Sequence, residues 1–486
     1  MSDMDLSDAE RAVRDYRKKL VEMPADGITL EAVECEVRAL TEALARELVA
    51  VALKRTDTDA PEVLIDGERW GNRRVLPGEY ETMFGTVALE RSTYQRGGRG
   101  RVAVPLELRL GIVEGRYTPK MGRVMTRALA AMTEQEGAEF LAELGTAMVS
   151  SSTLSRIPRA MAARYETRRE VVDVAVRERD AIPDEAVTVQ VALDGAMVPQ
   201  DGEHARSRGR KTDSPDPPRH ERLYGPVGAD APAAHDGHLG RAWHEASVGT
   251  LAFFDDEGRR LKTIYLGRMP EPNKATLVAG LGDELDAVLA ERPTLNVVFA
   301  SDGAPAHWGA LDAMANRIAP VCKGDTMNLV DAFHVAEYIA KAANAIAGDR
   351  TPKAAILAAT WRETLKEEVD GAKTVLRSMR AHAFAVRTKA RRQELASAIS
   401  YVATQQRLGR MDYAEAKEKH YPIGTGITEA AAKTVIGTRM KRAGARFSQH
   451  GGQTILLFRT AILSDRFDAL HAELGSTYTA NVKVAA

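Results

Sequence analysis

VTVQVALDGAMV, residues 187–198, is the stretch on which the fold turns. It is an apolar run with the look of a strand, and it ends in Asp194. A second apolar run, TLNVVFASDG (residues 294–303), ends in Asp302 in the same way. An isolated carboxylate near an apolar core is costly unless something cationic meets it. A third acid, Glu429, lies in the Gly-rich helix start YPIGTGITEAAAKTVIGTRMKRAG (residues 421–444). Two strand-end acids and one helical acid together suggest a divalent metal site.

Working outward, RAWHEASVGTLAFFD (241–255) and RLKTIYLGRM (260–269) read as strands. KATLVAGLGDELDAVLAE (274–291) and HWGALDAMANRIA (307–319) read as helices, and MNLVDAFH (327–334) as a short strand entering a helix. Three antiparallel-looking strands followed by strand, helix, strand is the order of an RNase H-like fold. The segment 199–240, rich in Pro, Gly and charge, reads as a long mobile loop. Its His235 and His238 have no cysteine partner, so zinc is not expected there. Residues 336–420 are dominated by Ala, Leu, Lys, Arg and Glu at helical spacing, as in a helical domain inserted before the final helix. Residues 371–446 hold sixteen Lys or Arg against five Asp or Glu, a local excess suited to polyphosphate backbones.

Upstream, Val33, Val37, Leu40, Leu44, Leu48 and Val51 recur at helical period from Leu30 to near Arg55. That helix either packs on its own domain or pairs two protomers. Residues 58–105 read as short strands around Phe84-Gly85, followed by a basic tip with Arg91, Arg96, Arg99 and Arg101 that either tracks a DNA backbone or is simply solvated. Thr133 with Glu136 forms a capping box, Gly145 stops a short helix, and SSSTLSRI (150–157) starts another. The spacing resembles a helix-turn-helix, with Pro158 shortening the second helix and Ser152 and Arg156 as candidate DNA contacts.

Composition bounds the rest. The 486 residues are 44% apolar and 5% aromatic with a net charge of −1, enough for two to four folded domains and without global attraction to nucleic acid. There is no apolar run of membrane-spanning length and no signal-like N-terminus, so a cytoplasmic, nucleoid-associated protein with no membrane partner is expected. Cys35 and Cys322 are expected reduced. The expected domains are 1–57 helical, 58–119 β-rich, 120–180 helix-turn-helix-like with a connector, 181–335 the first part of the core, 336–420 the helical insertion, 421–470 the final core helix, and 471–486 a tail.

Phosphodiester chemistry needs attacking and leaving oxygens held in line with the phosphorane charge stabilised. Two divalent ions about 4 Å apart, held by carboxylates, meet both needs. LDGAMV (193–198), GRAWHEASVGTLAFFDDEG (240–258), FASDGAPAHWGAL (299–311), DAFHVAEYI (331–339), PIGTGITEAAAKTVIGTRMKRAGARFS (422–448) and MFGTVALERSTYQ (83–95) resemble the blocks of bacterial insertion-sequence DDE transposases of the ISKra type. The resemblance implies that Asp194, Asp302 and Glu429 are the catalytic, metal-holding triad, with Mg2+ or Mn2+ as two ions. It also implies that 336–420 is the insertion of that family and that Asp331 and His334 form its D-x-x-H element. His334 then either orients a phosphate or a metal-bound water, or caps the next helix.

Lys433, Arg439, Lys441, Arg442 and Arg446 follow Glu429 and are expected to hold DNA, with Lys433 on the face of Glu429 and the amides at Thr425-Gly426 open to phosphate. Trp243 and Trp308 are read either as base-stacking or as packing residues. The expected function is metal-dependent hydrolysis at the ends of a mobile element and 3′-hydroxyl strand transfer into target DNA. The partners are double-stranded DNA and further copies of the chain in a synaptic complex. The rivals are another RNase H-like nuclease, such as a junction resolvase, and a non-catalytic, domesticated DNA-binding protein.

Overall fold

A computed structural model describes residues 7–97, 100–145, 149–200 and 242–485. They divide into two compact units, the first made of described residues up to 175 together with 468–485, the second of 176–200 and 242–467. The basic Arg99 and the segment 201–241, with His235 and His238, lie outside the described residues. No helix among the described residues is long and apolar enough to cross a membrane.

In the first unit α1 (Ser7–Glu22) lies on α2 (Leu30–Thr56), whose bounds are those expected from periodicity. Only the C-terminal part of α2 reaches the core, where Leu53, Val49 and Ala50 meet Tyr80 and Val87. Its earlier residues Leu30, Val37 and Leu48 stay exposed. An antiparallel sheet follows, with β1 (Val63–Ile65), β2 (Glu68–Thr82), β3 (Gly85–Gln95) and β4 (Val102–Ala103). β2 and β3 turn at Met83-Phe84, one residue before the expected Phe84-Gly85, and at 15 and 11 residues they are long rather than short.

Two expectations change here. Arg91 is not at a basic tip, because its Nε donates to Glu107 at 3.1 Å from a mostly buried position, and Arg96 pairs with Glu68 at 2.7 Å. The last residues are not a tail either. Val482–Val484 forms the edge strand of this sheet, antiparallel to β1, because a three-residue strand with Val63 and Ile65 buried needs a partner on each side.

The chain continues as α3 (Pro105–Leu110), α4 (Pro119–Ala131), α5 (Glu134–Glu143) and α6 (Ser151–Glu166). The Thr133–Glu136 capping box forms in both directions. Both α4 and α5 pack on α6. Pro158 does not shorten α6. Proline removes one i→i−4 hydrogen bond, but Leu154, Ile157, Ala160 and Met161 around it are buried, and packing carries the helix through all 16 residues. Ser152 is exposed beside the cap Ser150, with hydroxyls 2.9 Å apart. Arg156 donates to the Tyr117 hydroxyl at 3.3 Å, so it is partly committed within the unit. α7 (Arg169–Glu178) leads out of this unit.

The second unit is built on β5 (Thr188–Gln200), β6 (Ala242–Phe254) and β7 (Arg260–Arg268), then α8 (Ala275–Glu291), β8 (Asn296–Ser301), α9 (Pro305–Ile318) and β9 (Thr326–Val330). The sheet order is β7-β6-β5-β8-β9, with β5, β6 and β7 antiparallel and β5, β8 and β9 parallel. Five helices follow: α10 (Ala332–Ala347), α11 (Pro352–Glu367), α12 (Gly371–His382), α13 (Lys389–Arg407) and α14 (Tyr413–Glu418). No strand stands between Val330 and Glu429 among the described residues.

The chain then returns through α15 (Gly426–Ala431), a π-helical turn Ala432–Gly437 and a last turn Thr438–Met440, and continues in α16 (Gln449–Leu463). Helices cover both sheet faces. Gly249 lies against Leu281 of α8, while Gly267 lies against Leu456 and Thr460 of α16. Gly267 pairs with Val248, the neighbour of Gly249, so the two point to opposite faces. Buried side chains from the sheet, α8, α9 and the helices from α10 to α14 form one continuous core.

In the first unit His471 is buried. Burial, together with repulsion from Arg123, lowers its pKa to about 4, with Asp468 opposing. An unfolded histidine titrates near its usual value of about 6.5, so between that pH and about 4 the unfolded chain binds more protons. Unfolding free energy should therefore fall as pH drops through this window, by up to about 3 kcal/mol. Chemical denaturation followed from pH 7 to 4 checks this, and His471→Asn should flatten that part of the profile.

Candidate active site

Gln190, Ala192 and Asp194 alternate onto one face of β5. The Gln190 amide donates to the carbonyls of Pro422, at 3.4 Å, and Gly424, at 3.1 Å. Thr250, which pairs with Ala192 across β5 and β6, shares a 2.7 Å hydroxyl contact with Thr428. The loop and helix that carry Glu429 therefore lie on the face toward which Asp194 points. Ala192 pairs with Ala300 in the parallel register of β5 and β8, and two residues further along that register Asp302 stands beside Asp194.

The two aspartates differ in character. Asp194 accepts from the Gly195 amide at 2.7 Å. Burial, followed by the negative charges of Asp302 and Glu429, nevertheless raises its pKa, with the Gly195 bond and His307 opposing. For Asp302 burial also pulls upward. The hydrogen bond from His307, the Ala304 amide and the charges of His307 and His334 outweigh it and hold the carboxyl below its ordinary value. His307 is buried, with Nδ1 3.2 Å from Asp302 Oδ1 and 3.0 Å from Ser301 Oγ. Trp308 donates its indole N–H to the Asp302 carbonyl at 2.7 Å and stacks against the Arg410 guanidinium, 3.8 Å from the ring centre. Trp308 is thus a buried positioning residue, whereas Trp243 is exposed on β6.

Asp331 is 1% exposed and ties the site together. Its Oδ1 accepts from the amides of Phe333, at 2.6 Å, and His334, at 3.2 Å, which caps α10. Its Oδ2 accepts from the Thr425 amide at 2.7 Å and from the Thr425 hydroxyl. One carboxylate thereby joins the start of α10 to the residue that begins the Glu429 helix. The D-x-x-H spacing singled out this position; its partner Thr425, 94 residues away, was not legible. His334 lies over the Tyr338 and Tyr401 rings, with centroids at 5.5 and 5.9 Å, and 4.0 Å from Glu337. The stacked Tyr401 ring also covers Gly303, where any Cβ would come within 2.4 Å of it.

Beside the acids stands a group that sequence reasoning missed. Glu245 of β6 reaches over Gly195, where an added Cβ would sit 2.0 Å from its Oε1. The same oxygen is 3.0 Å from Lys274 Nζ and 3.9 Å from His307 Nε2, and Lys274 also donates to Ser247 at 2.6 Å. Lys274 and Asn273 both adopt left-handed backbone, with φ 53°, a costly conformation for side chains other than glycine. Only the β5–β6 register brings Glu245 here, and a 41-residue undescribed segment separates those strands in sequence.

Of the basic residues after Glu429, Lys433, Lys441, Arg442 and Arg446 are exposed. Arg439 is not a surface DNA contact: it is 2% exposed, with its guanidinium 5.8 Å from the Phe447 ring. The expected face shared by Glu429 and Lys433 is altered too, because a π-helical turn starts at Ala432. Arg459 of α16 donates to the Thr434 and Val435 carbonyls of that turn, and burial with the charges of Arg439 and Arg442 lowers its pKa.

The all-oxygen donors Asp194, Asp302 and Glu429 suit a hard divalent cation by chemistry. Among the described residues, however, no group of three or more His, Cys, Asp or Glu stands ready to hold a metal. The arrangement is an aspartate pair on neighbouring strands, with a third acid acting on it through space.

No protein-family model matches the chain, and no curated protein matches it. Among solved structures it is similar to the Mos1 transposase paired-end complex with left transposon end, at 14% identity, 61% of this chain, 80% of that chain and a TM-score of 0.16. It is also similar to the Mos1 strand transfer complex (13%, 59% and 78%, TM-score 0.15) and to a pre-cleavage Mos1 transpososome (13%, 59% and 77%, TM-score 0.15). Scores of this size carry no argument about fold or activity.

Removing the Asp331 carboxylate strands two helix-start amides and the Thr425 donors. Asp331→Ala should cost about 3 kcal/mol of stability, judged from the penalty for buried unsatisfied groups. Thr425→Val, which removes one donor, should cost about 1 kcal/mol. Urea midpoints at unchanged m-value check both.

Proposed function

We propose that this chain is a DNA transposase with an RNase H-like core interrupted by the helical segment 336–420, of the insertion-sequence class that its motifs resemble. One observation carries the reading. Asp194, midway along β5, and Asp302, the residue after β8, lie side by side in the parallel register of a β7-β6-β5-β8-β9 sheet, and the helix of Glu429 is held over the face toward which Asp194 points. Burial and the charges of Asp302 and Glu429 raise the proton affinity of Asp194, a destabilising arrangement that a cationic ligand would relieve.

Asp194, Asp302 and Glu429 would hold Mg2+ or Mn2+, which when bound supplies the positive charge that stabilises the phosphate undergoing substitution. The protein's own residues do the rest. His307 keeps Asp302 ionised and oriented, and Trp308 fixes its backbone. Asp331 sets the start of the Glu429 helix. Exposed Lys433, Lys441, Arg442 and Arg446 hold the phosphate backbone of double-stranded DNA, while Ser152 and the α5–α6 pair contribute end recognition. Water oxygen bonds to phosphorus as the P–O3′ bond breaks, freeing a 3′-hydroxyl. That oxygen then attacks a target phosphorus and displaces its 3′-oxygen. Synapsis of two ends calls for two or more copies of the chain.

The test is full-length protein incubated with Mg2+ and a plasmid carrying the DNA that flanks its gene. Free 3′-ends and joined products support the reading. Cutting of four-way junctions without joining would assign a resolvase, and DNA binding without cleavage a domesticated binder. Asp194→Asn, Asp302→Asn and Glu429→Gln should each abolish cleavage while leaving DNA binding within about threefold.

Stability gives a separate readout. Holding a charge on Asp194 costs the folded state, since burial and the neighbouring acids raise its folded pKa. Asp194→Asn should therefore raise the thermal midpoint without divalent ions and abolish the further rise that Mg2+ or Mn2+ gives the unchanged protein. A midpoint that Mg2+ and Mn2+ do not move would remove the metal from this site.

A further inference from the structure

Away from the carboxylates, α12 and α13 flank a groove of about 700 Å³. Lys373, Arg377 and Arg380 line it from α12, and Ser400, Thr404 and Arg407 from α13, with Leu376 and Ala403 also in its wall. Spacings of three and four residues put each set on one face of its helix. All four cations are exposed. Lys373 pairs with Asp370 at 2.7 Å, but among the described residues Arg377, Arg380 and Arg407 have no carboxylate within salt-bridge distance. Elsewhere in this chain of 67 basic and 68 acidic residues, arginines commonly find acids. Facing arginines without counter-charge repel one another unless an anion lies between them.

We infer that the α12–α13 groove is a docking surface for the phosphate backbone of duplex DNA, separate from the carboxylates. The proposal rests on the transposase reading for its choice of anion. From Lys373 to Arg380 the helix rises about 10 Å, the axial span of about three phosphates on one strand. An open trough with cations on both walls and hydroxyl donors on one suits a continuous polyanion. The arginine forks suit phosphate oxygens, and they read no base sequence.

The test measures affinity of the full chain for a duplex oligonucleotide across a salt series. Replacing Arg377, Arg380 and Arg407 together by Gln should lower the slope of log affinity against log salt by about 2 to 3, at roughly 0.9 per lost phosphate contact. The loss should be equal for element-end and unrelated duplexes. The triple Arg→Lys variant should restore most of the slope, which a folding defect would not. An unchanged slope in the Gln variant overturns the groove, as does a phosphate-induced rise in thermal midpoint that vanishes in that variant while DNA binding stays intact, because the groove then takes a small anion. A reduced slope in a protein that cuts no DNA keeps the groove and removes the transposase reading. Intact cleavage with an unchanged slope does the reverse, and failure of the unchanged protein to bind duplex DNA overturns both.

Discussion

The Asp331 carboxylate is the constraint on which the second unit's site depends. A buried charge is tolerated only when its oxygens are fully engaged, and here both are, by donors from two separate stretches of chain. One oxygen faces the start of the helical segment and the other the start of the Glu429 helix. Five helices can therefore lie between Val330 and Glu429 without loosening the position of that acid, because the two ends of the excursion are bound to one side chain.

Around this clamp the protein separates its acids by environment. Asp194 lies within β5 and Asp302 just past the end of the adjacent β8, and burial and neighbouring negative charge push the first upward, while a buried histidine and a backbone amide hold the second down. Such a pair does not rest at an electrostatic minimum. Glu245 and Lys274 add a second charged layer, and the left-handed backbone at Asn273 and Lys274 shows conformational cost accepted at the same place. Backbone strain and like charge thus occur close together in this part of the second unit.

Basic residues follow a different logic. Arginines near the core are consumed by structure: Arg466 by Glu284 and Asp180, Arg410 by Asp312 and Trp308, and Arg459 by the carbonyls of the π-helical turn. Arg439 joins this buried class. Exposed cations stand, among other places, after the Glu429 turn and along the α12–α13 groove.

Local pattern alone determined much of this. The helix 30–55, the capping box at Thr133, the five strands of the second sheet and the helical character of 336–420 were all readable, because period and caps are short-range properties. The position of Asp302 directly after β8 was readable for the same reason, whereas Asp194 lies midway along β5 and not at its end, because pairing with β6 carries that strand on to Gln200. Other features depended on which distant segments meet: the edge strand Val482–Val484, the continuity of α6 through Pro158, the burial of Arg439, the clamp from Asp331 to Thr425, and Glu245 over Gly195. Strand pairing and core packing act between residues hundreds of positions apart, and no local periodicity encodes them. The tertiary structure alone decided them, because burial energy depends on the whole surface removed from water and not on the sequence spacing of the groups that remove it.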